Sequence, residues 1–131
     1  MDNNQLKTTV IIVEDELIQS LYLRKMLESL GFNVIDTSTE GRDSIEKALS
    51  LKPDFITMDI QLSDDVDGID ATHEIQKKIA IPVLYITGNT DLMHSKRIKQ
   101  TQYIEVLPKP VSKAEIKAAL KKAWFVEKSV A

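Results

Sequence analysis

The sequence predicts an α/β fold in which a parallel sheet is covered by helices on both faces, and three observations carry that prediction. Short β-branched runs alternate with longer stretches of helical periodicity. Several of these runs are almost continuously apolar, as strands covered on both faces must be. Glycine and proline fall between the elements and not inside them. At 131 residues the chain is long enough to bury one such domain and too short for a second.

The elements follow in order. "TTVIIV" (8–13) reads as the first strand, and Leu23, Met26, Leu27 and Leu30 then mark a helical stripe that stops at Gly31. "FNVIDTS" (32–38) is the second strand and Gly41 opens the second helix. Pro53 leads into "DFITM" (54–58), and Gly68 opens the third helix. Pro82 leads into "IPVLYIT" (81–87). The stretch "DLMHSKRIK" (91–99) is expected as a marginal, polar fourth helix, because only Leu92, Met93 and Ile98 are strongly apolar; such a helix suits a mobile surface. "YIEVL" (103–107) is the fifth strand, and Ile116, Ala119, Leu120 and Ala123 repeat the helical spacing in the fifth helix. Five strands, five helices and right-handed crossovers give most simply a flavodoxin-like doubly wound sheet of order 2-1-3-4-5. Residues 8–127 are expected to form the domain, with 1–7 and 128–131 as flexible tails and no output domain in the chain.

Composition narrows the function. A net charge of −3 gives no basic excess to attract nucleic acid or an anionic membrane, so neither is expected as a direct partner. The chain has no cysteine, which removes disulfides, thiol nucleophiles and thiolate metal sites. No apolar run approaches the roughly 18 residues that span a bilayer, and "MDNNQLK" lacks the pattern of a secretion signal. A cytoplasmic location without membrane insertion is the expectation.

In an open parallel sheet, ligands bind beyond the carboxyl ends of the strands, where the strand order reverses. The ends of strands 1, 3, 4 and 5 carry Glu14 and Asp15, then Asp59, then Thr87, then Lys109. Taken singly, an Asp after a strand is a turn former or helix cap, Thr87 a strand-end residue and Lys109 a solvated charge. Five such residues on one edge, from four strands, make a site the better explanation. Three clustered carboxylates repel one another unless a cation joins them, and an all-oxygen, open set suits Mg2+. Lys109 and Thr87 could then hold phosphoryl oxygens, leaving Asp59 to attack phosphorus and form an aspartyl phosphate.

With "VIIVEDE", "DFITMDI", "VDGIDA", "IPVLYITG" and "LPKP" the chain resembles, over nearly its whole length, the receiver domain of bacterial two-component response regulators. The resemblance implies that Asp59 accepts phosphate from a histidine kinase or a histidine phosphotransfer protein. It implies that Asp15, Asp59 and the backbone carbonyl of Gln61 ligate magnesium, with Glu14 acting mainly through water. Thr87 would be the switch hydroxyl, Lys109 the phosphoryl contact, and the Lys109–Pro110 bond cis. Gln61 and Asn89 would flank the path of the hydrolytic water. The only catalysis implied is autophosphorylation from phosphodonors and autodephosphorylation. The face made by the fourth helix, fifth strand and fifth helix would bind a downstream protein.

Three features depart from the family pattern. The switch position three residues before the lysine is Val106 where an aromatic is usual; Tyr103, an odd number of residues away, would point to the opposite face of a regular strand. Pro108 precedes the lysine, which suits an edge strand. The loop from Asp59 to Gly68 is one residue longer than usual and carries Asp64, Asp65 and Asp67, expected to be solvated or to cap the next helix. His73 and His94 are expected as solvated surface residues, and Trp124 as a packing or interface residue. Lys121 and Lys122 suit a helix C-terminus. A pseudo-receiver used only as a binding module would be expected to lose acidic or lysine positions, and this chain keeps them. A small phosphatase with an Asp nucleophile would need a second Asp where Gln61 stands.

Overall fold

The computed structural model describes residues 7–122. Ala123, Trp124 and, except for Lys7, the tails expected at 1–7 and 128–131 lie outside the described residues. Along the chain run β1 (Thr9–Val13), α1 (Leu17–Ser29), β2 (Asn33–Ser38), α2 (Gly41–Leu51), β3 (Phe55–Met58), α3 (Gly68–Gln76), β4 (Val83–Thr87), β5 (Tyr103–Pro108) and α4 (Lys113–Leu120). The strands are all parallel, in the order β2-β1-β3-β4-β5. That is the expected doubly wound sheet.

Each face of the sheet has its own core. Leu23, Met26 and Leu27 of α1 and Ile116, Ala119 and Leu120 of α4 pack on Val10, Ile12, Phe55, Leu84 and Ile86. On the other face Ala48 of α2 and Ile69, Ala71 and Ile75 of α3 cover Ile11, Val13, Ile56, Met58 and Tyr85. The alternation of successive residues between these two sets is the period of a strand buried on both sides. Each fully buried Ile or Phe in these sets contributes roughly 1.5–3 kcal/mol. The central strand β3, "FITM", is buried throughout and gives the residue that follows it a rigid base.

The fourth of the five expected helices is not an α-helix. Residues 91–100 form two 3-10 turns, Leu92–His94 and Ile98–Gln100, separated by Ser95 in an extended conformation. The cause is local. The Asn89 side chain accepts from the N–H groups of Asp91 (3.0 Å) and Leu92 (3.3 Å), and the Ser95 hydroxyl accepts from Arg97 N–H (3.2 Å), so side chains compete with the helical ladder. Only Ile98 of the segment is buried.

Strand β5 also differs from expectation. Val83 pairs with Tyr103 but Leu84 pairs with Glu105, so Ile104 is an inserted residue. The bulge places Tyr103 on the same face as Val106, not the opposite one, and its ring lies 6.1 Å from that of Tyr85. Tyr103 is still no partner for Thr87, because it pairs four residues back along β4, roughly 13 Å at strand rise. As expected, β5 is an edge strand; it runs one residue past the expected 107, to Pro108.

Candidate functional site

The strand ends are fixed by ladder hydrogen bonds that continue past the strands themselves. Glu14 N–H donates to Ser38 O (2.9 Å), Asp59 N–H to Val13 O (2.9 Å) and Lys109 N–H to Thr87 O (2.9 Å). Glu14, Asp59 and Lys109 therefore leave the sheet edge on a backbone that is still hydrogen-bonded. The start of α3 braces the same point. Gly68 N–H donates to Ile60 O (2.7 Å), and a Cβ at position 68 would overlap the carbonyl oxygen of Asp59. Only glycine permits this approach.

Glu14, Asp15, Asp59 and Lys109 converge. Carboxylate oxygens of Glu14, Asp15 and Asp59 lie within 4.8 Å of one another. Lys109 Nζ donates to Asp59 Oδ2 at 2.8 Å and sits 2.7 Å from Glu14 Oε1. The remaining Asp59 oxygen, Oδ1, accepts from Ile60 N–H (2.7 Å). Glu14 is 1% exposed and Asp59 7%, whereas Asp15 is exposed to solvent. The contact from Lys109 to Glu14 Oε1 is an ion pair without hydrogen-bond alignment, so that buried oxygen lacks a hydrogen bond.

This arrangement is electrostatically uneven. Burial pushes the Glu14 carboxyl up to about 7, against the Lys109 ammonium and the Glu16 N–H, and the Asp59 charge adds to the rise. Burial also works against the Lys109 ammonium, but Asp59 and Glu14 outweigh it and hold its pKa above the ordinary value. One lysine thus serves two buried carboxylates while Asp15 has no ion-pair partner among the described residues. An all-oxygen cluster with excess negative charge and an unbonded buried oxygen is the donor set that a hard divalent cation fits.

Thr87 is buried and its hydroxyl accepts from Asn89 N–H (3.2 Å). Asn89 Oδ1 is engaged by the two backbone donors that start the first 3-10 turn. Gln61 is exposed on the loop after Asp59, Val106 is half-buried, and the Lys109–Pro110 bond is cis. His73 and His94 are exposed.

The acidic loop was expected to be solvated or to cap α3, and it does more than that. Asp64, from the far side of the loop, accepts from the N–H groups of Gly41 (2.8 Å) and Arg42 (3.0 Å) at the start of α2. Burial works to raise its carboxyl pKa, but those donors together outweigh it and hold the carboxyl below the ordinary range. Asp65 takes a bidentate contact from Arg42 (both 3.0 Å). Asp67 caps α3 by accepting from Asp70 N–H (2.8 Å) and also takes two bonds from Arg97, which reaches Asp70 at 2.6 Å. The only sequence signals were Gly41, whose missing Cβ leaves room for the Val66 carbonyl, and the isolated arginines.

Comparison with known proteins places this geometry. The family model described as response regulator receiver domain matches residues 10–121. The chain is 29% identical over 123 residues to the phyllosphere-induced regulator PhyR of Methylorubrum extorquens, covering 93% of this chain and 45% of PhyR. It spans between 23% and 55% of the length of the curated relatives it matches. Among solved structures, the signal receiver domain of a modulated diguanylate cyclase from Desulfovibrio desulfuricans is similar at a TM-score of 0.83 and 28% identity, with 95% and 98% of the two chains covered. The receiver domain of the sensor histidine kinase PA1611 of Pseudomonas aeruginosa is similar at a TM-score of 0.76 and 27% identity, covering 89% and 97%; that structure has a magnesium ion in its active site cleft. No helix among the described residues is long and apolar enough to cross a membrane.

Proposed function

The chain belongs to the family of response regulator receiver domains, and from that premise we propose that it is phosphorylated on Asp59 by a histidine kinase or a histidine phosphotransfer protein. The observation that carries the assignment is the position of Asp59: buried at the end of the central strand, held by Lys109 at 2.8 Å, and within 4.8 Å of two further carboxylates. In the transfer, an Asp59 carboxylate oxygen attacks phosphorus and the bond from phosphorus to the donor nitrogen breaks. The imidazole leaves as the neutral base after taking up a proton. Hydrolysis reverses the modification: water attacks phosphorus, the acyl phosphate bond breaks, and the Asp59 carboxylate returns.

Glu14, Asp15, Asp59 and the carbonyl of Gln61 would hold Mg2+, which supplies charge neutralisation at the transferred phosphoryl group. This chain's own part is to orient Asp59 through the Ile60 N–H and Lys109, and to offer Lys109 and Thr87 to phosphoryl oxygens. For the hydrolytic water, Gln61 is the freer of the two amides, since both lone pairs of Asn89 Oδ1 already accept backbone N–H groups. The added charge of about −1.5 to −2 acts on Lys109 and Thr87. The segment after Thr87, β5 and α4 then change as the surface read by a downstream protein. A cytoplasmic setting fits this reading.

Intact-mass measurement after incubation with magnesium and acetyl phosphate tests the assignment. The expected result is one phosphoryl adduct, absent without magnesium and absent in Asp59→Asn. An adduct that survives Asp59→Asn overturns it.

A further inference from the structure

The segment between β4 and β5 is held at three points of different character. Its first 3-10 turn hangs on Thr87: the hydroxyl accepts from Asn89 N–H (3.2 Å), and Asn89 Oδ1 accepts from the N–H groups of Asp91 and Leu92 that open the turn. Its far end is buried. Ile98 is 2% exposed, and the Thr101 hydroxyl lies 2.9 Å from the Tyr85 hydroxyl and donates to Ile98 O at 2.6 Å. The third point is Arg97, which crosses to the loop after Asp59. Its two terminal nitrogens donate to the two oxygens of Asp67 (both 3.0 Å), and Nη2 also reaches Asp70 at 2.6 Å.

Little packing backs this third contact. A cavity of about 100 Å³ lies between Ile69, Asp70, His73, Arg97 and Gln100, so the guanidinium bridges open space and holds its partners through charge. A fork of this kind is directional, and both of its bonds are lost if one side moves by roughly 1 Å. The two acids cannot follow such a movement. Asp67 caps α3 by accepting from Asp70 N–H, and α3 is packed on the sheet by Ile69, Ala71 and Ile75. Ser95, extended between the two 3-10 turns, thus joins a half tied to Thr87 to a half tied to Asp67.

We propose that the clamp of Arg97 on Asp67 and Asp70 is an autoinhibitory contact, which holds the segment in its unphosphorylated arrangement and opens when Thr87 is drawn to the phosphoryl group. This rests on the reading of Asp59 and Thr87 given above. Thr87 carries Asn89 with it, so drawing the hydroxyl inward pulls the first turn, and the clamp resists through Ser95. A contact made only in the resting arrangement lowers the affinity for anything that favours the other one.

The test is a titration of beryllofluoride, an analogue of the phosphoryl group, into the full isotope-labelled chain with magnesium. Arg97→Gln and Asp70→Asn open the clamp from opposite sides, and neither residue lies in the acceptor site. Each should bind the analogue about threefold tighter or more, the scale on which an exposed bidentate pair acts. The double variant should gain no more than the better single one. In both unliganded variants the amide signals of 91–100 should already be displaced towards their positions in the beryllofluoride-bound wild type. The two substitutions change the net charge in opposite senses, so an effect of the general field would move the two affinities apart. That result overturns the clamp, as do unchanged or weaker binding, additive gains in the double variant, or signals of 91–100 that stay at their resting positions. A wild type that binds no beryllofluoride, or binds it without shifting 87–100, overturns instead the reading of Asp59 and Thr87, and the clamp with it.

Discussion

Two acidic groups leave the same strand end of this molecule and meet opposite surroundings. Glu14 and Asp59 are buried and share one lysine, Asp15 has no ion-pair partner among the described residues, and Glu14 Oε1 lacks a hydrogen bond. Asp64, Asp65 and Asp67, at most eight residues beyond Asp59, each have donors of their own: two N–H groups at the start of α2, Arg42, and an α3 N–H with Arg97. The difference shows that acidity alone does not mark a site. What separates the two is whether the fold itself satisfies the charge, and only the first group leaves charge for something else to neutralise.

The sharpest way to break the comparison is at the glycine the two groups share. Gly68→Ala would press its Cβ into the Asp59 carbonyl, so it should cost roughly 3 kcal/mol or more and displace Asp59. Urea unfolding and adduct formation should both suffer.

Next comes Glu14. Its folded-state pKa of about 7 lies above the ordinary carboxyl value of 4.5, so the folded form binds a proton more tightly. The contribution of this group is full below about pH 4.5 and is lost as the pH rises through about 7, by up to ~3 kcal/mol. Melting temperature should therefore fall across that window, and Glu14→Gln should flatten the fall and stabilise the metal-free protein at pH 8.

Smaller effects belong to the loop. Asp64→Ala removes the acceptor for two N–H groups at the start of α2 and should cost about 1 kcal/mol, as loss of a helix cap does, with adduct formation unchanged. Asp65→Ala touches only an exposed pair with Arg42 and should leave the melting temperature where it was.

The parts of this molecule legible in its sequence are those that depend on local pattern. β-branched runs located all five strands, the Leu23, Met26, Leu27 stripe located α1, and the rule for strand ends assigns Glu14, Asp15, Asp59, Thr87 and Lys109 to one edge. The misses are long-range or caused by one residue. Asp64 caps a helix that begins 23 residues earlier, a contact no window contains. The inserted Ile104 reversed the face of Tyr103, because period-2 reasoning fails at a bulge. Asn89 and Ser95 turned an expected helix into two short turns.

The contrast between the two acidic groups is tested most directly by titrating magnesium into the isotope-labelled protein and following backbone amides. One saturable site is expected, with the largest shifts at residues 14, 15 and 59–61, little change at 64–67, and loss of the response in Asp15→Asn. Shifts as large at 64–67, or a response that Asp15→Asn leaves intact, would contradict the assignment of the cation to the strand ends.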